Sequence, residues 1–195
     1  METIQKFGQI WHSAAKRILL LFSILLIGLR AYPHCAYPLR TPECIVCTAE
    51  KEVGVREDGR NNSGKRIAEY LAHTGIYKPA AWCSSYAAFI LSQCGIPHTI
   101  NAWSPTATAR NRIYDRRKPN ENRITPEGGD VFTLYYPNLK RIGHAGIIYK
   151  WGDKWVETIE GNTTEAGTRE TRSGNDGVFK RKRLKSTIYQ VSRWR

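Results

Sequence analysis

From Val131 to the C-terminus the chain divides into short apolar runs: VFTLYY (131–136), HAGIIYK (144–150), KWVETIE (154–160), GVFKRKR (177–183) and STIYQVSR (186–193). β-Branched and aromatic residues at period two mark strands with two distinct faces. The short links between them imply antiparallel pairing, because a parallel crossover needs a dozen residues or more. Upstream the period is helical. In REDGRNNSGKRIAEYLAHTG, Ser63 serves as N-cap, Ile67 and Leu71 stand four apart, and Gly75 closes a helix of about ten residues. In KPAAWCSSYAAFILSQCGIP, Pro79 precedes a helix that Gly95 and Pro97 stop. Cys83, Tyr86, Ala87, Ile90, Leu91 and Cys94 form its apolar stripe, with Ser85 and Ser92 opposite. The passage from Asn101 to Gly129 reads as loop or irregular helix, and there is no internal repeat. Helices followed by a meandering sheet make the fold class α+β, with N-terminal helices packed on an antiparallel sheet.

The first fifty residues are of another kind. RILLLFSILLIGL carries about twelve apolar residues behind Lys16 and Arg17, too few for a membrane span of roughly 17 and suited to a signal-peptide core. The expected organisation is a cytoplasmic n-region over 1–17, a hydrophobic signal or membrane-anchor segment over 18–29, a proline-bearing tether over 30–47 and a catalytic domain over 48–195. The basic flank keeps the N-terminus inside and exports the rest to the cell envelope, anchored or released. A net charge of +13, from 30 Lys+Arg against 17 Asp+Glu, draws the chain to polyanions. No zinc-finger, RNA-recognition or basic-helix spacing accompanies it, so no specific nucleic acid is expected as partner. KRKRLK (180–185) reads as a solvated, strand-borne basic face.

Cys83 stands in the first turn of its helix, where unpaired N–H groups and the helix dipole favour a thiolate. Cys94 reads as a buried packing residue. Cys35, Cys44 and Cys47 cluster beside His34; CIVC has no second pair, so a disulfide or a linker is expected there rather than a metal site. A nucleophilic cysteine needs a base. His12 and His34 lie near the hydrophobic segment, and His73 and His98 read as surface residues. His144 opens a strand between two glycines that leave its ring approachable. Glu160 and Asn162 sit two apart on the next strand, hence on one face, where an acceptor could hold one imidazole nitrogen. For Glu160 to face His144, the intervening hairpin must contain an odd-numbered loop, such as Trp151-Gly152-Asp153, or a bulge.

The pieces EVGVREDGRNNSGKRIAEYL, AWCSSYAAFIL, GGDVFTLYYP, IGHAGIIYKWGDKWVETIEGNTT and YQVSRWR, over about residues 50–195, resemble the CHAP family, cysteine- and histidine-dependent amidohydrolases/peptidases of the papain-like superfamily. The resemblance implies Cys83 as nucleophile, His144 as general base, Glu160 as the residue orienting the imidazole, and Asn162 positioning the ring or the substrate. It implies hydrolysis of amide bonds in peptidoglycan, with the anionic cell envelope and, through the 18–29 segment, the membrane as partners. Action as a monomer and without metal or other cofactor is expected. Some members bind calcium through acidic loops; Glu57 and Asp58 are crowded by arginines here, and calcium is not carried over. The Asn101–Asp130 passage is expected to wall the groove. Trp82, Trp103 and Tyr114 would supply stacking surface, and Arg110, with Arg112, Arg116 and Arg117, would meet stem-peptide carboxylates. That choice favours an endopeptidase over an N-acetylmuramoyl-L-alanine amidase. The competing readings are an inactive membrane-tethered wall-binding module and a papain-like amidase acting on a non-wall amide.

Overall fold

The computed structural model describes residues 36–165 and 175–195. The expected n-region, the 18–29 segment and Cys35 lie outside them. Among the described residues no helix is long and apolar enough to cross a membrane.

Three helices precede or flank the sheet. Helix α1, Pro42–Lys51, occupies a stretch expected to end the tether. Its start signal is local: Thr41 accepts a hydrogen bond from the Cys44 N–H, and Pro42 fills a first-turn position whose missing N–H costs nothing. Cys44, Ile45 and Ala49 turn inward, so this segment belongs to the core. Helix α2, Lys65–His73, buries Ile67, Tyr70 and Leu71. Its N-cap is Gly64 rather than Ser63, whose hydroxyl donates to Asp58 instead. Helix α3, Cys83–Gln93, is buried nearly all round, and the face expected to be polar is covered too. Ser85 bonds Thr74 at 2.7 Å and Ser84 donates to the Asn101 carbonyl at 2.6 Å, so these hydroxyls are buried with partners.

The strands are β1 Arg112–Asp115, β2 Val131–Tyr136, β3 Arg141–Trp151, β4 Trp155–Thr163, β5 Gly177–Leu184 and β6 Ile188–Ser192. They form one antiparallel sheet in the order β1-β6-β2-β3-β4-β5. Strand β1 lies in the passage expected to be loop and pairs with the chain's last strand, a partner no local signal reveals. The link from Leu184 to Ile188 spans at most about 14 Å. In a flat sheet β5 and β6 would lie four strand spacings, about 19 Å, apart. The sheet must therefore curl, and one face becomes concave. Val131, Ala145, Ile147, Ile159 and Val178 pack on the helices from the other face. Phe132, Leu134, Ile148, Val156, Ile188 and Val191 form a second core inside the curl.

The β3–β4 hairpin meets the expected parity through its bulge. Its loop is the two-residue Asp153–Lys154, closed by the Gly152 N–H on the Trp155 carbonyl at 3.0 Å. Lys150 faces Glu157 but Ile148 faces Thr158, leaving Tyr149 as the extra residue. That single insertion puts His144 and Glu160 on the same, concave face.

Cys94 is not a lone packing thiol, because it forms a disulfide with Cys44 across 50 residues. The bridge ties the start of α1 to the end of α3. Cys47 is disulfide-bonded as well, and Cys83 is the free cysteine among the described residues. Closing a loop of that length removes chain entropy from the unfolded state worth about 4 kcal/mol. Replacing both Cys44 and Cys94 by Ala should lower unfolding free energy by about that amount in urea titrations. An unchanged midpoint would show that the bridge does not stabilise the fold.

Candidate active site

Cys83 is the first residue of α3, and Trp82 is its N-cap. The first intrahelical hydrogen bond is Tyr86 N–H to the Trp82 carbonyl, so the N–H of Cys83 lies at the open head of the helix. The sulfur hydrogen-bonds the His144 ring, the Ala145 N–H and Ser104, whose Oγ is 3.5 Å away. The imidazole Nε2 lies 2.8 Å from Glu160 Oε2, which leaves Nδ1 for the sulfur. Cys83 is 3% exposed, His144 4% and Glu160 0%, so the whole row is screened from water.

The two glycines flanking the His144–Ala145 pair serve packing. A Cβ on Gly143 would lie 2.4 Å from the Tyr136 ring. One on Gly146 would lie 2.8 Å from Phe132 and 3.0 Å from Glu160 Cγ. They admit the groups that hold the histidine, and the Phe132 ring meets the imidazole edge-on at 6.4 Å.

Glu160 is saturated with donors. Besides His144, Thr158 Oγ1 donates to Oε1 at 2.5 Å, and Arg183 donates through Nε to Oε1 at 2.9 Å and Nη2 to Oε2 at 2.5 Å. Burial alone would raise the carboxyl pKa, but the Arg183 and His144 contacts overcome it and hold Glu160 far below the usual carboxylate range. Arg183 corrects the reading of KRKRLK as a solvated face. Along β5 the exposed positions are Lys180 and Lys182, while Arg181 and Arg183 turn into the concave side. The alternation of Lys and Arg was the available signal: a bidentate buried partner calls for guanidinium.

Burial also pushes the Cys83 thiol up and the His144 imidazole down. Their mutual hydrogen bond and attraction prevail, lowering Cys83 to about 7 and raising His144 to about 9. Between these values the pair is thiolate and imidazolium. Ser104 had no distinguishing sequence signal, and the hydrogen bonds of Ser104 and Ala145 favour the same thiolate.

Asn162 does not touch the imidazole. In a left-handed conformation, φ 56°, its Oδ1 accepts the Trp82 N–H at 3.1 Å while Nδ2 donates to Asn62 and Asp176. It fastens Trp82, the residue before Cys83. Trp82 is fully buried, stacked on Tyr70, and its indole N–H donates to the buried Glu57 at 3.2 Å. No ring surface is left for a substrate. Asp58 pairs with Arg60. Tyr114 packs on Trp151 against the second core. Arg112 and Arg117 are ion-paired to Asp115, and Arg116 donates to the Ser186 carbonyl. Arg110 is exposed, and its carbonyl accepts from Ser192. Of the expected contact residues Arg110 and Trp103 stay exposed, and Trp103, 53% exposed, precedes Ser104.

No family model and no curated protein matches this chain. Among solved structures it is similar to an NlpC/P60 family protein from Bacillus cereus ATCC 10987, at 13% identity and a TM-score of 0.47. The similarity covers 80% of this chain and 41% of that one, so this chain spans about two fifths of that protein's length.

Two measurements test the geometry. Iodoacetamide should modify Cys83 at a rate that rises through about pH 7, and in His144→Ala the rise should move to higher pH. A wild-type rise only near 9 would show that no ion pair forms. Arg183→Met leaves a buried carboxylate without its counter-charge and should cost about 3 kcal/mol of stability at neutral pH. The depressed pKa of Glu160 stabilises the fold above its unfolded value of 4.5, and that contribution is lost as pH falls. The difference between wild type and Arg183→Met should therefore shrink in acid. A variant as stable as wild type would remove Arg183 from the site's support.

Proposed function

We propose that this protein is a cysteine-dependent amidohydrolase or peptidase that cleaves amide bonds in peptidoglycan, with Cys83 as nucleophile, His144 as acid and base, and Glu160 orienting the imidazole. The observation that carries the reading is the buried row Cys83–His144–Glu160, with the sulfur at the head of α3. An inactive binding module has no need of a thiol held between a histidine and orphan helix N–H groups. The amide of a wall peptide is favoured by the charge of +13, which concentrates the chain on anionic envelope polymer. The 18–29 segment would deliver the domain outside the cytoplasmic membrane, where it acts as a monomer.

The thiolate attacks the substrate carbonyl, and the developing oxyanion is met by the Cys83 N–H, which has no intrahelical acceptor. The imidazolium gives its Nδ1 proton to the leaving nitrogen as the C–N bond breaks, leaving a thioester on Cys83 and a neutral ring. His144 then takes a proton from water, whose oxygen attacks the thioester. The C–S bond breaks, the acid product leaves, and the thiolate–imidazolium pair is restored. Glu160 stays ionised throughout and holds the ring so that one nitrogen always faces the sulfur.

Purified peptidoglycan digested with wild-type protein should yield new amino groups, and Cys83→Ala should lower their release by about 10³-fold or more. Mass spectrometry of the fragments separates cleavage within the stem or cross-bridge from release of intact stem peptides. Equal release by wild type and Cys83→Ala would sink the assignment.

A further inference from the structure

We propose that Trp103 and Arg141 form a carboxylate-binding subsite beside the nucleophile, so that the scissile amide lies in an acidic peptide. The proposal rests on the hydrolase reading and names its substrate class. Trp103 adjoins Ser104, which contacts the Cys83 sulfur, and Arg141 lies three residues before His144 on β3. The two side chains meet on this rim: the Arg141 guanidinium stands 4.3 Å from the Trp103 ring centroid.

Three properties make this a recognition device. First, the indole covers one face of the guanidinium and fixes its plane, which lowers the cost of ordering it on a ligand. Second, Nη1 is tied to the Ile142 carbonyl at 2.8 Å, leaving the Nε–Nη2 edge, the one matched to a carboxylate. Third, Arg141 stands without a counter-ion among the described residues. Arg56, Arg66, Arg112, Arg117, Arg183, Arg193 and Arg195 each pair with an aspartate or glutamate. Among the described residues no carboxylate pairs with Arg141, although it is partly buried. The exposed remainder of the Trp103 ring offers apolar surface to the peptide's methylenes. The anion-recognising arginine is thus on the His144 strand, whereas Arg112 and Arg117 are occupied by Asp115.

Binding is measured by calorimetry on Cys83→Ala, which leaves the ligand intact. The probes are a synthetic stem-type tetrapeptide with two free carboxylates and its fully amidated analogue. The free acid should bind about tenfold or more tightly, the scale of a charge-assisted hydrogen bond, and raising salt should weaken that preference. Adding Arg141→Ala should bring the free acid to the affinity of the amide. Arg141→Lys, which keeps the charge and loses the planar fork, should retain part of the preference. Equal binding of the two peptides by Cys83→Ala overturns the subsite, even if wild type hydrolyses both. A retained preference in Arg141→Ala overturns it as well. Preferential binding of the free acid together with no hydrolysis by wild type keeps the subsite and overturns the hydrolase reading instead.

Discussion

The fold depends on a buried carboxylate being fully satisfied. Glu160 has no solvent exposure, and an ion of that kind withdrawn from water costs several kcal/mol unless its oxygens are paired and hydrogen-bonded. Its donors come from β3 (His144), β4 (Thr158) and β5 (Arg183), so three strands must hold register to within one residue. The bulge at Tyr149 and the curl forced by the Leu184–Ile188 link supply that register. With Cys83 added, the row reads thiolate, imidazolium, carboxylate and guanidinium, alternating in sign and summing to zero. Each charge has an opposite neighbour, which is what lets the row exist without water.

The position of Cys83 has separate guarantors. Asn162 takes the Trp82 N–H, Glu57 takes its indole N–H, and Tyr70 stacks on its ring, so the residue before Cys83 is held from three sides. At the far end of α3 the Cys44–Cys94 bridge fastens the helix to α1. A helix pinned at both ends and buried around its circumference carries its first residue as part of the core. Two residues assigned chemistry from sequence, Trp82 and Asn162, are instead part of this mounting.

What the sequence revealed was what its local periods record. The period-two runs place β2 to β6 within a few residues, and the Pro79 and Gly95 signals bracket α3. Cys83, His144 and Glu160 were accessible because each has a local mark: helix start, glycine flanks, spacing to Asn162. Features set by distant partners escaped. Strand β1 exists because the C-terminal strand lies beside it. Cys94 looked like a packing thiol because its partner is 50 residues away. Arg183 looked solvated because the carboxylate it serves is on another strand. Helix α1 is the instructive miss, since Thr41 and Pro42 announced it and the surrounding prolines obscured them.

The Cys83–His144 pair has a consequence for how the protein responds to pH. Going up the scale, the folded pair releases one proton near 7, from sulfur, and a second near 9, from the ring. Unfolded, the same residues release one at 6.5, from the ring, and a second at 9.0, from sulfur. Stability due to the raised histidine fades as pH climbs from 6.5 through 9, while that due to the lowered cysteine grows from 7 to 9. The two trends run in opposite directions over the same range and offset each other. Within that range folding relocates a proton from sulfur to nitrogen. The site holds a thiolate, yet the opposed titrations of its two partners weaken its imprint on the pH dependence of stability.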